Sequence, residues 1–493
     1  MAPCGEEGLL AGRRVSGFSG LRARVHQSER KKNAARTAQK TQIGKSLFKW
    51  VVGLLASKMG FPVAIITTSV KSVDQLLDKF AEMASKLPDS ETAGRVEMLC
   101  RTKELDLLKR IKNGGMVVLA YHVGQLRRLQ KLLDALVTTG SLRPPVLLLD
   151  EADEMHRPRQ MLADVYSSQR EVLLPLLKQR SALVVHATAT MLPLLMDMSD
   201  VQSPAGCSLD KGDDPVADFV PFSTPPTYHG IANMVPAMNA DGSSMFFSEE
   251  PSARNCFLVP ELMEFYKQAA DMPNAVVLDI TDPRVHANAG IFDKAQLLSE
   301  AEGIKDRMVI VAMSATEVHL FVDSVTCSIE IKNKSLHNPG RLIEELSKDY
   351  PGKPILIIAY SRAMRGESFR STARTPTHVA CALGRGLSME RMVQAMGRGT
   401  GIWPVGGPAV SVLTREDDMI IARAYAALLD KVNNRVEELH ESRVQALRGV
   451  LTSDEQVTTC FLQTKRTVGA KKLGITSAFK AMLVQQNSET NGV

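Results

Sequence analysis

The sequence predicts an α/β protein of two lobes with parallel sheets, followed by a helical C-terminal extension. Short apolar runs rich in Val, Ile and Leu alternate with segments of helical period. That alternation is typical of buried parallel strands joined by right-handed crossover helices. It occurs twice, on either side of a stretch rich in Pro, Gly, Asp and Ser. With 493 residues and 44% hydrophobic content, the chain is long enough to bury two such cores.

The first lobe is predicted between residues 41 and 200. Its strand candidates are residues 63–67, 116–120, 146–149 and 182–186. Residues 73–87 and 123–136 repeat Leu at helical spacing between those strands. Because no period persists from residue 201 to 260, a linker or insertion is expected there.

The second lobe is predicted between residues 261 and 425. Its strand candidates are residues 275–280, 308–313, 355–359, 378–383 and 409–413. The pattern from 420 to 448 is helical, so residues 426–493 are expected to form a helical and basic C-terminal extension. Residues 1–40 carry nine Lys or Arg without a regular apolar period, which predicts a basic disordered segment.

Composition excludes several classes of protein. The seven cysteines have no CxxC or Cys/His spacing, so neither a zinc site nor a disulfide framework is expected. The longest apolar region, residues 50–67, is interrupted by Lys58, Gly60 and Pro62, which argues against a membrane span. We therefore expect a soluble intracellular protein of the nucleus or cytoplasm rather than of an organelle.

The most informative motif is VLLLDEAD, from Val146 to Asp153. Four apolar residues suit a buried strand, and an acidic pair at the end of such a strand is where a nucleotide enzyme holds its magnesium ion. Asp150 is the candidate Mg²⁺ ligand. A solvated loop or the cap of the next helix would give the same string.

A candidate phosphate loop lies upstream of this acidic motif. It reads Thr41, Gln42, Ile43, Gly44, Lys45, Ser46. Gly lets backbone N–H groups approach the phosphates, Lys reaches the β and γ oxygens, and Ser ligates Mg²⁺. Two defects stand beside it. Gln39 replaces the first Gly of the motif, and the preceding residues 31–39 are polar and basic where a buried strand should be apolar.

Three further motifs follow in the chain. Thr188 and Thr190 end the strand candidate in ALVVHATAT, where their hydroxyls can contact the acidic loop and relay its state. In the second lobe, SRAMRGESFR contains Arg365 and Gly366 after a strand, and VQAMGRGTG contains Gln394 and Arg398. Arg donates several hydrogen bonds to phosphate, so Arg398 is the candidate arginine finger. A solvent-exposed Gly-rich basic loop would explain either motif taken singly.

In order and spacing, GKS, DEAD, ATAT, MRGESF and QAMGRG resemble the motifs of superfamily 2 helicases, the group that includes the DEAD-box enzymes. The second lobe also resembles helicase-like ATPase modules of bacterial restriction and DNA-repair systems. The resemblance implies two RecA-like P-loop NTPase lobes with ATP and Mg²⁺ between them. Gly44, Lys45 and Ser46 would then bind phosphates, Asp150 would hold Mg²⁺ through water, and Glu151 would polarise the attacking water. Gln394 and Arg398 would complete the site from the second lobe.

Two departures from the family pattern bear on catalysis. The family's last motif commonly ends GRxGR, and Gly401 stands here at the second Arg position. No upstream adenine-reading Gln motif is recognisable. Because Gly401 replaces the second Arg, one cation for the γ-phosphate is missing, and impaired hydrolysis is expected.

A nucleic-acid surface is expected at the loops that follow two first-lobe strands. The candidate contacts are Thr68, Ser69, Lys71, Gln125 and Arg128. Their hydroxyl and cationic groups suit backbone phosphates. Helix caps and a solvated helix face would equally explain these residues.

The leading hypothesis is an ATP-dependent helicase, translocase or remodeller that moves on DNA or RNA. A second hypothesis is a degenerate, hydrolysis-deficient helicase fold that serves as a scaffold or nucleic-acid-binding module. A third is a P-loop ATPase that works on protein partners, against which salt-dependent binding to nucleic acid would count.

Overall fold

The structure is a computed structural model in which part of the chain is described. The described residues are 34–38, 45–68, 70–85, 96–98, 106, 111, 115–138, 143–151, 173–174, 176–178, 180–188, 224–248, 259–281, 290–314, 316–322, 329–359, 367–381, 389–402, 409–439 and 443–453. The basic stretches predicted within residues 1–33 and 465–472 lie outside these ranges.

The first lobe contains a six-stranded parallel sheet. Its strands are β1 (Ala34–Ala38), β2 (Val63–Thr67), β3 (Val96–Met98), β4 (Met116–Ala120), β5 (Val146–Asp150) and β6 (Leu183–Thr188). Their order across the sheet is β1-β6-β5-β2-β4-β3. The four predicted strands of this lobe are confirmed. In β2, β4, β5 and β6 every residue is buried, as their continuous apolar sequences predict.

Strand β1 forms within residues 1–40, so the expectation of a disordered segment was wrong at Ala34–Ala38. It pairs in parallel with β6 and with no other strand among the described residues, so it lies at an edge of the sheet. An edge strand has one neighbour and requires less apolar surface than a central strand. This position explains how the sequence AARTA is accommodated in the sheet.

Helices cover both faces of the first sheet. They are α1 (Lys45–Lys58), α2 (Val70–Ser85) and α3 (Val123–Thr138). Alternate strand residues point to opposite faces: Ile65 packs in the core beneath α1 and α2, whereas Ile66 packs with residues of α3. Helix α1 passes very close to the sheet, because a Cβ on Gly53 would lie 2.5 Å from Met116 Sδ.

The second lobe contains a nine-stranded mixed sheet. Its strands, with two more that pair separately, are β7 (Tyr228–His229), β8 (Val235–Met238), β9 (Ser244–Met245), β10 (Val276–Asp279), β11 (Val309–Met313), β12 (Val318–Phe321), β13 (Ile329–Glu330), β14 (Ile355–Ile358), β15 (His378–Ala380), β16 (Gly401–Ile402) and β17 (Ser411–Leu413). The order of the nine is β13-β12-β11-β14-β10-β15-β17-β8-β9, and β7 pairs with β16.

The five predicted strands of the second lobe are present and pair in parallel, as predicted, but further strands make the sheet mixed. Strand β12 runs antiparallel to β11, β13 antiparallel to β12, and β9 antiparallel to β8. Four residues join Met313 to Val318. So short a connection can form a hairpin but cannot carry the crossover that a parallel pair needs.

Residues 224–248 also differ from expectation. They fall in the predicted linker or insertion, yet β8 pairs in parallel with β17 and extends the second sheet. Strands of two to four residues are too short to produce a readable apolar period. This part of the chain therefore belongs to the second lobe.

The remaining helices pack on the second sheet and follow it. They are α4 (Pro260–Ala270), α5 (Ile291–Glu300), α6 (Pro339–Asp349), α7 (Met389–Met396), α8 (Glu416–Glu438) and α9 (Arg443–Ser453). Within the predicted helical extension of residues 426–493, α8 and α9 are helical up to Ser453, and residues 454–493 lie outside the described ranges. The expected boundary at 425/426 falls inside α8, whose residues Tyr425 and Leu428 are buried in the core. No helix within the described ranges combines the length and apolar character needed to cross a bilayer.

Candidate functional site

The carboxyl ends of the first-lobe strands lie along one edge of the sheet. Because the strands are parallel, Thr67 of β2, Asp150 of β5 and Thr188 of β6 all end at that edge. Asp150 is in register with Ala187, and Thr188 is in register with Ala38 of β1. Thr188, the predicted coupling residue, directly follows Ala187, the residue in register with Asp150. Its side chain is fully buried.

The two consecutive acids of the DEAD motif contact different lysines. Lys45 Nζ donates to Glu151 Oε1 across 3.5 Å, and Lys49 Nζ is ion-paired with Asp150 Oδ1. Glu151 has a φ of 51°, in the left-handed region that a residue other than Gly rarely adopts. Such a conformation costs about 1–3 kcal/mol and persists where surrounding contacts enforce it. The chain turns sharply after β5, and the two carboxylates separate.

Lys49 was missed by the sequence reasoning. It stands four residues after Lys45, so both side chains leave the same face of α1 toward the strand ends. Its side chain is 2% exposed. The signal that could have identified it is a second lysine one helical turn inside a candidate phosphate-loop helix, where a buried helix face otherwise calls for an apolar residue.

The ion pair governs the charge of Asp150. Burial opposes ionisation of this carboxyl, but the charges of Lys49 and then Lys45 outweigh that effect and hold its pKa below the usual range. Asp150 is therefore a carboxylate whose charge is already neutralised by an ammonium group.

The predicted Mg²⁺ site does not match the side chains that the structure places at the end of β5. Ser46 and Asp150 were its expected ligands, and both line the cleft between the lobes. Asp150 is held by Lys49, Glu151 is held by Lys45, and the described residues contain no group of three or more His, Cys, Asp or Glu that could hold a metal ion. A divalent cation at Asp150 would meet the buried Lys49 charge. As arranged, these residues do not fit Mg²⁺.

The second lobe contributes Gln394 and Arg398 from the end of α7 and the turn that follows. Both side chains are almost fully buried, and Arg398 Nη1 donates to the carbonyl of Glu367 across 2.9 Å. Burial lowers the pKa of the Arg398 guanidinium, and the carboxylates of Glu151 and Glu367 oppose that shift. The candidate arginine finger and Glu151 of the other lobe line the same cleft.

Gly399 allows this turn to pack against the sheet. A Cβ at this position would lie 2.6 Å from Val379 Cγ2 and 3.1 Å from Met234 Cε. Any larger residue would push Arg398 away from the strands that support it. Close packing therefore requires Gly399, the last residue of QAMGRG.

A cleft of about 770 Å³ lies between the lobes and contains these groups. Six cationic and five acidic side chains line it. The cations are Lys45, Lys49, Lys79, Arg341, Arg370 and Arg398, and the acids are Asp78, Glu82, Asp150, Glu151 and Glu344. At its mouth, Arg341 Nη2 of α6 lies 3.3 Å from Asp78 Oδ1 of α2 and joins the lobes. The cations outnumber the carboxylates by one, and a net positive charge in a concave, partly desolvated site favours an anionic ligand.

Arg370 was not singled out from the sequence, although it ends the quoted string SRAMRGESFR. Its Nη2 donates to the carbonyl of Ile402 across 3.2 Å, beside Gly401. Gly401 itself lies in β16 and presents no cation. Arg370 therefore places a guanidinium beside the position where the family pattern expects the second Arg.

Lys79 of α2 was also missed. Burial, together with the charges of Lys49, Arg398 and Arg370, lowers its pKa to about 8, while the charge of Asp150 acts in the opposite direction. A lysine whose charge is disfavoured by its neighbours gains when an anion enters the cleft. Helical spacing alone marks Lys79 as one more solvated residue of an amphipathic helix.

The candidate nucleic-acid residues have mixed environments. Thr68 and Arg128 are half-buried, after β2 and on α3. The side-chain carbonyl of Gln125 accepts from the backbone N–H of Ala120 across 2.7 Å, so it holds the end of β4. Lys71 lies in the first turn of α2.

Several predicted site residues lie outside the described part of the chain, and their roles stay predictions. They are Thr41, Gln42, Gly44, Ser69, Thr190, Arg365 and Gly366.

No protein-family model matches the sequence, and no curated protein matches it. The fold is similar to that of solved helicase structures. The DUF1998 helicase MrfA bound to DNA has a TM-score of 0.47 at 12% identity, over 91% of this chain and 59% of that one. S. cerevisiae Dbp5 bound to RNA and ADP BeF3 has a TM-score of 0.44 at 12% identity, over 88% and 98%.

The DEAD-box helicase Mss116 bound to ssRNA and UDP-BeF has a TM-score of 0.45 at 11% identity, over 97% of this chain and 90% of that one. This chain thus spans 59% of the MrfA chain and most of the other two. At these identities and TM-scores, what the cleft does is argued from its own residues.

Proposed function

We propose that this chain binds the phosphates of a nucleoside triphosphate, ATP by family resemblance, between its lobes and couples that binding to nucleic acid as a superfamily 2 helicase-type ATPase. One observation carries the proposal: Lys45 and Glu151 of the first lobe and Arg398 of the second line the same cleft. A motif order that resembles the helicases supports it independently.

Each of these groups has a chemical task in phosphoryl transfer. Lys45 binds a terminal phosphate, and Arg398 and Arg370 stabilise the charge that develops on the transferred group. Glu151 orients the attacking water and accepts its proton. In the structure Lys45 contacts Glu151 at 3.5 Å, a long hydrogen bond, so an entering phosphate competes readily for the ammonium. Both residues are then released for their separate tasks.

Nucleic acid would lie along the loops that follow β2 and β4. Val63–Thr67 pairs with Met116–Ala120 over its whole length, so those loops share one edge of the sheet. Thr68, Ser69, Lys71 and Arg128 would contact backbone phosphates without reading sequence. Binding of this kind weakens as salt rises.

The proposal is tested by measuring nucleotide binding and phosphate release with and without single-stranded DNA or RNA. Lys45→Ala is expected to weaken binding of a fluorescent ATP analogue by tenfold or more, because a charge-assisted phosphate contact is lost. Lys58→Ala removes an exposed lysine of the same helix and should leave the affinity unchanged. Failure of the wild type to bind any nucleotide would remove the proposal.

A second candidate function is a hydrolysis-deficient module that binds nucleotide and nucleic acid without turnover. The Lys49–Asp150 ion pair and the glycine at 401 favour it. Its signature is tight, salt-dependent nucleic-acid binding with no phosphate release above background. The helicase-type ATPase requires release that rises when nucleic acid is added.

A further inference from the structure

We infer that the ammonium of Lys49 takes the place of the divalent metal beside Asp150, so that this chain binds nucleotide phosphates without Mg²⁺. The inference rests on the proposed nucleotide site and specifies which form of the ligand that site accepts: the metal-free nucleotide.

The placement of Lys49 carries the first step. Its Nζ is paired with Asp150 Oδ1, the carboxylate at the end of β5 that the family resemblance assigns to the metal. The Lys49 side chain is 2% exposed and the Asp150 side chain 12% exposed. A buried ammonium that loses this counter-ion is strongly disfavoured, because water cannot replace the lost contact. Asp150 is therefore not available to a second cation at low cost.

The surrounding charge carries the second step. Lys49, Lys45 and Lys79 all act on Asp150, and their combined charge exceeds that of this carboxylate and Glu151 together. A Mg²⁺ ion would add two positive charges to a site that is already cationic. A triphosphate would instead supply the negative charge that the site lacks.

The third step concerns what a metal ordinarily contributes. Mg²⁺ bridges phosphate oxygens and neutralises part of their charge. In this cleft Lys45, Lys49, Lys79, Arg370 and Arg398 supply five cations from two lobes, in addition to Arg341, which is paired with Asp78. Point charges of this kind neutralise a polyphosphate, but they cannot deliver a bound water to the reaction. Binding should thus be retained without metal, and turnover should be slow.

The test measures the Kd of the full chain for a fluorescent ATP analogue in excess EDTA and again in millimolar MgCl₂. We expect the two values to agree within about threefold for the wild type. Lys49→Met removes the internal cation and should bind at least tenfold more tightly with MgCl₂ than with EDTA. Lys58→Met, an exposed position on the same helix, should behave as the wild type.

A direct metal measurement accompanies the affinities. Titration of Mn²⁺ alone, followed by electron paramagnetic resonance, should show no bound ion in the wild type and one in Lys49→Met. Lys49→Arg keeps a cation at this position and should stay metal-independent. It supports the inference even where Lys49→Met fails to fold.

The outcomes separate the two proposals. A wild-type affinity that falls more than tenfold in EDTA overturns the role of Lys49 and leaves the nucleotide site standing. Absence of binding in both buffers overturns the nucleotide site itself. Mn²⁺ bound stoichiometrically by the wild type also overturns the inference.

Discussion

Lys45 Nζ lies 3.5 Å from Glu151 Oε1, which joins the start of α1 to the residue that follows β5 across 106 positions of sequence. In this contact Glu151 occupies the Lys45 ammonium that is proposed to bind phosphate, and Lys45 occupies the Glu151 carboxylate that is proposed to orient water. At the proposed nucleotide site an entering phosphate would displace Glu151 from Lys45, so Glu151 competes with the phosphate for this lysine.

Glu151→Gln is accordingly expected to separate binding from hydrolysis. A neutral amide competes less for the lysine, so nucleotide affinity should stay equal or improve by a few-fold. Phosphate release should fall by about 10²–10⁴, the usual contribution of a general base. Parallel measurements of Kd and of single-turnover hydrolysis test this, with Glu300→Gln on exposed α5 as the control. Loss of affinity together with rate would contradict the assigned role.

Arg370 is expected to contribute the second phosphate cation. Arg370→Ala should weaken the affinity for the triphosphate by about tenfold, because the guanidinium contact with the terminal phosphate is lost. The effect on the diphosphate should be smaller. Arg307→Ala, an exposed arginine of the same lobe, should change neither. Equal effects on both nucleotides would show that Arg370 does not contact the terminal phosphate.

Nucleotide affinity should fall as the pH rises above 8. Lys79, whose pKa is about 8, is charged below this pH and loses its proton above it. A bound anion raises the pKa of Lys79. For each unit of this rise, the nucleotide affinity at high pH is about tenfold weaker than the affinity at low pH. Kd values from pH 6.5 to 9.5 provide the measurement. Lys79→Met should bind more weakly and show a flatter profile over this window.

Stability should fall in acid because of His378. Burial lowers the pKa of this histidine to about 4, below its ordinary 6.5. The folded state keeps it neutral while the unfolded state binds a proton, so the contribution is full above pH 6.5 and is lost progressively down to pH 4. At pH 5 the loss is about 2 kcal/mol. Denaturant titrations at pH 7 and 5 should show a smaller loss in His378→Phe.

A buried ionic network at the end of β10 should stabilise the second lobe. Lys294 Nζ is ion-paired with Asp279 and donates to Thr281 Oγ1 across 2.7 Å, and Tyr266 OH donates to Asp279 Oδ2 across 2.6 Å. All four side chains are buried. Lys294→Met should cost about 3–5 kcal/mol, because it leaves Asp279 without its cation.

The matched variants test whether charge is the cause. Tyr266→Phe should cost about 1.5–3 kcal/mol, the range for a hydrogen bond to a charged group. Adding Asp279→Asn to Lys294→Met should recover part of the loss, as measured by thermal and chemical unfolding. Lys305→Met, on an exposed turn, should be neutral. No recovery in the double variant would indicate that packing of the Lys294 stem dominates.

Much of the architecture could be predicted from the sequence because it depends on local properties. A run such as Val146–Asp150 is apolar on both faces, and this suits a strand covered by helices on both sides. The order of GKS, DEAD and QAMGRG likewise predicted which segments would meet. Short strands such as β8 escaped prediction, because pairing with β17 stabilises them and their own sequence does not.

The sequence by itself determined the alternating α/β pattern, the buried central strands and the placement of Lys45, Asp150 and Arg398 at strand and helix ends. Only the tertiary structure decided which charge faces which. One helical turn brings Lys49 to Asp150, and the fold of the second lobe itself places Arg370 beside Gly401. Such pairings depend on distances between segments far apart in the chain, and the hydrophobic period of the sequence does not predict those distances.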